Sequence, residues 1–122
     1  MTERVFIIGD GDGIRKKIES YLLNGDLDRL GAFSLAITDA ISKIAQLAVA
    51  AMESSIIFAG GDDIFFIATL RDYREEKIRS LMAEFSRLTE CSISFGIGPS
   101  AVAAFINLRR AKAKGPGSLV VS

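Results

Sequence analysis

The chain has 122 residues, 49% of them hydrophobic, and its 15 basic and 15 acidic residues give a formal net charge of zero. This composition excludes a disordered chain, predicts one domain over residues 1–122, and gives no global attraction to DNA or to an anionic membrane. The chain contains no histidine and a single cysteine, Cys91, which excludes histidine catalysis, cysteine or histidine metal sites and an internal disulfide.

The hydrophobic pattern alternates between strand and helix periodicity along the whole chain. The predicted elements are a strand (Arg4–Gly9), a helix (Ile14–Leu23), a helix (Leu30–Met52), a hairpin (Ser55–Leu70), a helix (Tyr73–Leu88), a strand (Ser92–Gly98), a helix opened by Pro99 and ending near Lys114, and a strand (Ser118–Val121). This order predicts an α/β (α+β) fold class, a ferredoxin-like domain with helices packed on a mostly antiparallel sheet.

The most apolar helix is predicted to be a core helix and not a membrane span. Its segment Leu35–Met52 is interrupted by polar residues, among them Asp39 and Lys43. No basic region followed by a long apolar stretch opens the chain, so no signal peptide is predicted. We therefore expect a cytoplasmic protein with no membrane insertion.

The hairpin carries an acidic pair at its tip. Gly60 and Gly61 supply the backbone freedom of a two-residue turn, and Asp62 and Asp63 follow them between two apolar strands. Adjacent carboxylates on a rigid turn repel each other, and a divalent metal carrying a phosphate would offset that repulsion. An ordinary solvated turn is the alternative, because Gly and Asp are common turn residues.

A second acidic segment, Asp10-Gly11-Asp12-Gly13, lies between the end of the first strand and the helix that starts at Ile14. The glycines allow close backbone approach, and the amides that open the helix can face an anion. Two acidic segments at strand ends are what a two-metal phosphoryl-transfer site requires, and without histidine the metal ligands must be carboxylates, which favours Mg²⁺ or Mn²⁺. The interpretation as a metal site requires that the end of the first strand lies beside the hairpin.

Together these motifs resemble one protein superfamily. The Asp10-Gly11-Asp12 segment, the Gly60–Asp63 hairpin, Ser94–Gly98 and the closing Leu108–Gly115 occur in the order found in the palm domain of GGDEF-type nucleotide cyclases and of the polymerase subunit of type III CRISPR complexes. Ala59-Gly60-Gly61-Asp62-Asp63 is closer to the CRISPR form than to the Glu-Phe form of diguanylate cyclases. A palm of this length is most similar to the minimal CRISPR polymerases.

The resemblance implies synthesis of a cyclic di- or oligonucleotide second messenger from nucleoside triphosphates, with release of pyrophosphate, in antiphage defence. It implies that Asp10, Asp62 and Asp63 bind two metal ions, with the Gly11 carbonyl as a further ligand, and that Asp62 and Asp63 are catalytic. The nucleotide and its phosphates would be bound by a further set of residues, Asp12, Gly13, Ile14, Gly60, Gly61 and Lys112. A separate effector would sense the product.

Two departures argue against a diguanylate cyclase. No Asn and Asp that could read guanine follow the first acidic segment, and Ala51–Ser54 stands where an Arg-x-x-Asp inhibition site is expected. The departures leave the base open, and it is the resemblance to CRISPR-type palms, which generally use ATP, that implies ATP over GTP. Because one palm presents one triphosphate, we expect a homodimer or larger homo-oligomer.

Several alternatives stay open at this point. Asp12 could instead cap the following helix, Arg15 and the neighbouring lysines could be solvated helix residues, and Lys112 could simply favour a helix C-terminus. The whole chain could be a catalytically silent palm that binds nucleotide or cyclic nucleotide as a signal, or an interaction module of a larger complex.

Overall fold

The structure is a computed structural model and describes residues 3–122. Within these residues the elements are, in chain order, β1 (Arg4–Gly11), α1 (Ile14–Leu23), α2 (Leu27–Met52), β2 (Ser55–Gly60), β3 (Asp63–Thr69), α3 (Glu75–Thr89), β4 (Ile93–Gly98), α4 (Ala101–Lys114) and β5 (Leu119–Val121).

The strands form one sheet in the order β2-β3-β1-β4-β5. β1 is antiparallel to both of its neighbours, β3 and β4, and β2 is antiparallel to β3; the β4–β5 pair is parallel. The predicted fold class, helices packed on a mostly antiparallel sheet, is confirmed. The first strand is therefore central, and its C-terminal end lies between the ends of two other strands.

One face of the sheet carries the main hydrophobic core. Alternate residues of each strand point to the same face, and the inward set is fully or almost fully buried under α2 and α3. Its largest side chains include Phe66 and Phe95, whose rings meet edge to face with centroids 6.5 Å apart, and Phe85 from α3. This packing fixes the central strands to which the acidic residues belong.

The helix α4 covers β4 on the opposite face. A Cβ atom added to Gly96 would lie 2.1 Å from the Leu108 backbone nitrogen and 2.2 Å from the Ala104 carbonyl oxygen. The small residues that alternate along β4 thus let a helix lie directly on the strand. The same close contact sets the position of every side chain that α4 presents to the sheet.

Several predicted boundaries were wrong by two or three residues. β1 continues through Asp10 to Gly11, because both residues pair with their neighbouring strands. α2 begins at Leu27, since the Asp26 side chain accepts a hydrogen bond from the Arg29 amide and caps the helix. α3 begins at Glu75 and not at Tyr73, and α4 begins after Pro99, with Ser100 as its cap.

By length and composition alone, α2 would be long and apolar enough to cross a membrane, as are many core helices of globular proteins. Its face formed by Phe33, Ile37, Ile41, Ile44 and Ala48 is buried against the domain's core. In the structure α2 therefore packs as a core helix, as predicted.

Candidate active site

Strand pairing brings the two acidic segments together. Asp10 is the direct cross-strand partner of Asp63, and the Gly11 amide donates to the Asp62 carbonyl oxygen at 2.9 Å. The predicted adjacency of the first strand and the hairpin is therefore confirmed. The turn itself lies one residue later than predicted: Gly60 pairs with Asp63, and the two turn residues are Gly61, at φ 56°, and Asp62.

Three carboxylates meet at this end of the sheet. One oxygen from each of Asp10, Asp62 and Asp63 lies within 4.8 Å of the other two. Burial, followed by the negative charge of Asp10, raises the pKa of Asp62. A hydrogen bond shared with the Asp10 carboxyl, then burial, then the charges of Asp10 and Asp62 raise the pKa of Asp63 to about 7. The cluster is thus electrostatically unfavourable unless a cation accompanies it.

The donor set fits the predicted metal. Clustered carboxylate oxygens are the ligands that Mg²⁺ and Mn²⁺ prefer, and within residues 3–122 no cysteine or histidine joins this cluster. Asp10, Asp62 and Asp63 would hold the ion, and the Gly11 carbonyl oxygen lies at the same strand end.

Lys112 reaches this cluster from α4. Its ammonium donates to the carbonyl oxygens of Asp10 and Gly11, both at 2.9 Å, and lies 3.1 Å from an Asp10 carboxylate oxygen. A fourth contact, at 2.8 Å, is to Asp12 Oδ1. The positive charge of Lys112 is therefore held beside the acidic residues by several acceptors, at the place where a triphosphate bound to the cluster would also arrive.

Asp12 supports Lys112 from behind. Its side chain, 9% exposed, accepts from the hydroxyls of Ser92 and Ser94, from the Gly117 amide and from Lys112. Burial alone would raise the pKa of Asp12, but these hydrogen bonds outweigh burial and hold its pKa below the ordinary value. The helix-capping alternative is wrong: the residue that precedes α1 is Gly13, at φ 68°, and no side chain of the described residues caps that helix.

A large open cleft lies over the carboxylates, between the sheet end and α1, and we call it the α1 cleft. Its volume is about 1230 Å³, enough for a nucleotide-sized ligand. The lining residues are Asp10, Gly11, Gly13, Ile14, Arg15, Lys16, Ile18, Glu19, Leu22, Asp62, Asp63 and Lys112.

The structure separates the predicted site residues into two groups. Those in the α1 cleft are Asp10, Gly11, Gly13, Ile14, Asp62, Asp63 and Lys112. Asp12 lies behind Lys112. Gly60 lines a depression beside β2. Gly61 lines another, of about 90 Å³, whose lining also includes Ile14 and Phe33. The roles of all these residues stay predictions.

Sequence reasoning missed two hydroxyls that support the site. Arg15 and Lys16 are exposed, as their interpretation as solvated helix residues expects, and they also line the α1 cleft. The Ser92 and Ser94 hydroxyls hold Asp12 across about 80 residues of sequence, and no local pattern indicates such a contact.

Asp63→Asn is expected to stabilise the metal-free protein above pH 7. The pKa of Asp63 is about 7 in the folded protein and ordinarily 3.8. Between these values the folded state binds a proton that the unfolded state has lost, so the free energy of unfolding falls as pH rises from about 4 to about 7. Thermal unfolding with a chelator should show this fall in the parent chain and a smaller one in the variant.

Asp39→Asn is the matched control for this measurement, because Asp39 is an exposed carboxylate on α2. It should leave the pH dependence of the melting temperature unchanged. An equally steep fall in Asp63→Asn would show that repulsion at residue 63 does not contribute. Added Mg²⁺ should raise the melting temperature more at pH 8 than at pH 5, because protons compete for the same oxygens.

Comparison with known proteins decides the family. The sequence profile described as mCpol, minimal CRISPR polymerase domain, matches residues 6–122. The chain belongs to this family. No curated protein sequence matches it.

Solved structures with the same fold include Csm1–Csm4 cassettes and a diguanylate cyclase/phosphodiesterase. The chain is similar to the Csm1–Csm4 cassette in complex with cA4 (18% identity, TM-score 0.83, 98% of this chain and 21% of that one). It is also similar to the cassette in complex with AMPPNP (18%, 0.81, 95% and 20%). A diguanylate cyclase/phosphodiesterase from Caldicellulosiruptor saccharolyticus matches with 13% identity and a TM-score of 0.64, over 98% of this chain and 76% of that one.

These likenesses show that the chain shares its palm fold with the Csm1–Csm4 cassettes and with the diguanylate cyclase/phosphodiesterase. The mCpol chain spans about a fifth of the length of the Csm1–Csm4 chains that it matches. The activities of those larger proteins are therefore a basis for proposals about this chain.

Proposed function

We propose that this mCpol domain is a metal-dependent nucleotidyltransferase that makes a cyclic di- or oligonucleotide from nucleoside triphosphates. The observation that carries the proposal is the carboxylate cluster of Asp10, Asp62 and Asp63 at the joined ends of β1 and β3, in a palm fold and below an open cleft. ATP is the favoured substrate, since related cassettes are described in complex with ATP, AMPPNP, cA3 and cA4.

The reaction joins two nucleotides by one displacement. A ribose hydroxyl oxygen of the acceptor forms a bond to the α-phosphorus of the donor, and the bond from that phosphorus to the oxygen bridging to the β-phosphorus breaks. Pyrophosphate leaves, and the hydroxyl proton passes to Asp63 or to solvent. A second displacement of the same kind closes the ring. Catalysis of such a reaction rests on alignment and on stabilisation of negative charge.

Different residues of the site would have different roles in this reaction. Mg²⁺ or Mn²⁺, held by Asp10, Asp62 and Asp63, would supply positive charge to the phosphates and lower the pKa of the attacking hydroxyl. The amides that open α1, with Gly13 giving close access, and the cations Arg15 and Lys16 face the same cleft and suit a triphosphate. Lys112, held in place by Asp12, adds a fixed positive charge beside the reacting phosphorus.

We further propose the setting of this activity. A single domain over residues 1–122 would act in the cytoplasm as a homodimer or larger homo-oligomer, in which facing palms bring two nucleotides together. Its product would be sensed by a separate effector in antiphage defence, as the resemblance to minimal CRISPR polymerases implies. Sedimentation in the presence of ATP tests the oligomer, and a strictly monomeric but active protein would contradict it.

The deciding experiment is incubation of the pure protein with Mg²⁺ or Mn²⁺ and each nucleoside triphosphate. Pyrophosphate release and the mass of the product are followed together. A cyclic product would support the proposal and identify the base. Tight nucleotide binding without any pyrophosphate would instead favour the silent palm that senses a nucleotide.

A further inference from the structure

Three neighbouring strands carry apolar residues on both of their faces. β1, β2 and β3 contain the unbroken apolar runs Val5–Ile8, Ile56–Ala59 and Ile64–Ala68. Strands that are buried on both faces have such runs, whereas a strand with one solvated face alternates apolar and polar residues. We therefore expect both faces of this part of the sheet to be covered when the protein is assembled.

The structure covers only one of these two faces. The inner face lies under α2 and α3. On the outer face α4 packs on β4, β1 and β5, and among residues 3–122 no helix packs extensively on β2 or β3 there. The outer apolar residues that stay partly or largely exposed are Phe6, Ile8, Phe58, Phe65 and Ile67, and we call them the outer patch. The Phe65 ring centre lies 6.4 Å from that of Phe6 and 5.8 Å from that of Phe58, so the patch is continuous.

The outer patch ends at the carboxylate cluster. The outward residues of β1 and β3 pair across the strands in three successive rows, which are Phe6 with Ile67, Ile8 with Phe65, and Asp10 with Asp63. At the opposite end the Arg4 guanidinium lies 5.1 Å from the centre of the Phe6 ring. Whatever covers the patch therefore also lies beside the candidate metal site.

The helix α4 forms a ridge beside the outer patch. Three apolar residues on its exposed side, which we call the α4 ridge, are Val102, Phe105 and Ile106, and they are 69%, 52% and 43% exposed. The charged residues Arg109 and Lys112 line a groove with Asp10, so they lie at the end of the helix nearest the carboxylates. The chain thus offers an apolar ridge and an apolar trough side by side.

We infer that a second copy of the chain covers the outer patch with its α4 ridge, while its own outer patch receives the ridge of the first copy. The inference rests on the proposed function, which needs a second palm beside the carboxylates. Such an exchange is isologous, as a two-fold dimer requires. The two-fold axis runs parallel to the strands near β1, and the two α4 helices lie side by side between the facing sheets.

This arrangement presents one nucleotide site to the other. A two-fold axis parallel to the strands leaves both carboxylate clusters at the same end of the dimer, facing each other across the interface. Because one layer of helices separates the sheets, they lie roughly 20 Å apart, from two layer spacings of about 10 Å each. That separation leaves room for one bound triphosphate on each palm, as the proposed reaction between facing palms requires.

Two other surfaces fit a second copy less well. Antiparallel pairing of two β2 edges would satisfy the edge strand, but it would place the two hairpin turns at opposite ends of the interface. The depression between α2 and β2 lies on the inner side of the sheet, and its lining includes none of the three clustered carboxylates. Scattered apolar residues are ordinary on a protein surface, but a continuous patch marks an interaction site.

One charge on each half of the interface tests the inference. Ile106→Glu changes the ridge and Phe58→Lys changes the patch, where Phe58 is 49% exposed. Sedimentation velocity over a range of protein concentrations, with a non-hydrolysable ATP analogue and Mg²⁺, gives the dissociation constant of the dimer. Each variant should raise this constant by about a hundredfold or more, because each dimer would bury two charges in apolar contact.

Mixing the two variants gives a sharper result. In a mixed dimer one ridge meets one patch as in the parent chain, and the other contact pairs the new glutamate with the new lysine. The mixture should therefore dimerise more tightly than either variant alone. Leu35→Glu is the matched control, since Leu35 is an apolar residue of α2 that is 62% exposed and belongs to neither half of the interface. It should dimerise as the parent chain does.

Three results would overturn the inference. They are a parent chain that stays monomeric at every concentration, a dissociation constant unchanged by both variants, and a mixture that dimerises no better than its components. If Phe58→Lys does not fold, Val102→Glu compared with Leu35→Glu gives the same decision. If the parent chain releases pyrophosphate but ridge and patch variants dimerise normally, the inference fails alone. If the dimer responds as expected but no triphosphate yields pyrophosphate, the proposed function is what fails.

Discussion

Asp62→Asn is expected to reduce pyrophosphate release by more than about a hundredfold, because replacing residues that only support metal ligands already costs about 10–100-fold. Asp62 is in the two-residue turn, and its carboxylate oxygen lies within 4.8 Å of oxygens from Asp10 and Asp63. An amide keeps the size of the side chain but removes the negative charge that binds the metal. The initial rate with saturating ATP and Mg²⁺ measures the effect.

Stability and binding measurements make this prediction specific. Asp62 repels its neighbours in the metal-free protein, so the variant should fold at least as stably as the parent. It should also gain less thermal stability from added Mg²⁺. Asp39→Asn changes an exposed carboxylate of α2 that belongs neither to the cluster nor to the lining of the α1 cleft, and it should keep both full activity and the Mg²⁺ response. If the Asp62→Asn protein releases pyrophosphate as fast as the parent chain, the carboxylate cluster is not required for the reaction.

Local sequence patterns predicted the architecture because most elements keep a single hydrophobic periodicity, that of a strand or that of a helix, along their whole length. The helix α2 and the strand β4 are examples, and both elements were predicted. The errors lie where a tertiary contact overrides local preference. Asp10 and Gly11 look like a loop, but pairing with Asp63 and with Ser94 continues the strand through them. Propensity describes a half-buried surface poorly when the partner strand is unknown.

The carboxylate cluster was predictable, whereas the surroundings of Lys112 were not. Adjacent acidic residues after strands are visible in the sequence, and one assumption about strand order brings them together. The support of Lys112 by Asp12 depends on residues about 100 positions apart, and that of Asp12 on two serines and the Gly117 amide. The family resemblance implied that Lys112 holds the phosphates, which stays a prediction; the structure shows what holds its ammonium.

Gly96→Ala is expected to destabilise the domain by about 3 kcal/mol or more, at the upper end of what overpacking costs. The added Cβ would lie 2.1 Å from the Leu108 nitrogen and 2.2 Å from the Ala104 oxygen. Both atoms are backbone, so no side chain can rotate away and α4 itself must move off β4. Thermal unfolding should show a loss of more than roughly 10 °C for a domain of this size.

Gly31→Ala is the matched control, since Gly31 is exposed on α2 and an added Cβ meets nothing within 4 Å. It should stabilise the protein by about 0.5–1 kcal/mol, because alanine is the better helix former. Equal melting temperatures in the two variants would show that α4 does not depend on its contact with Gly96. If Gly96→Ala folds, the shift of α4 should still lower activity, because Lys112 moves with that helix away from Asp10 and Asp12.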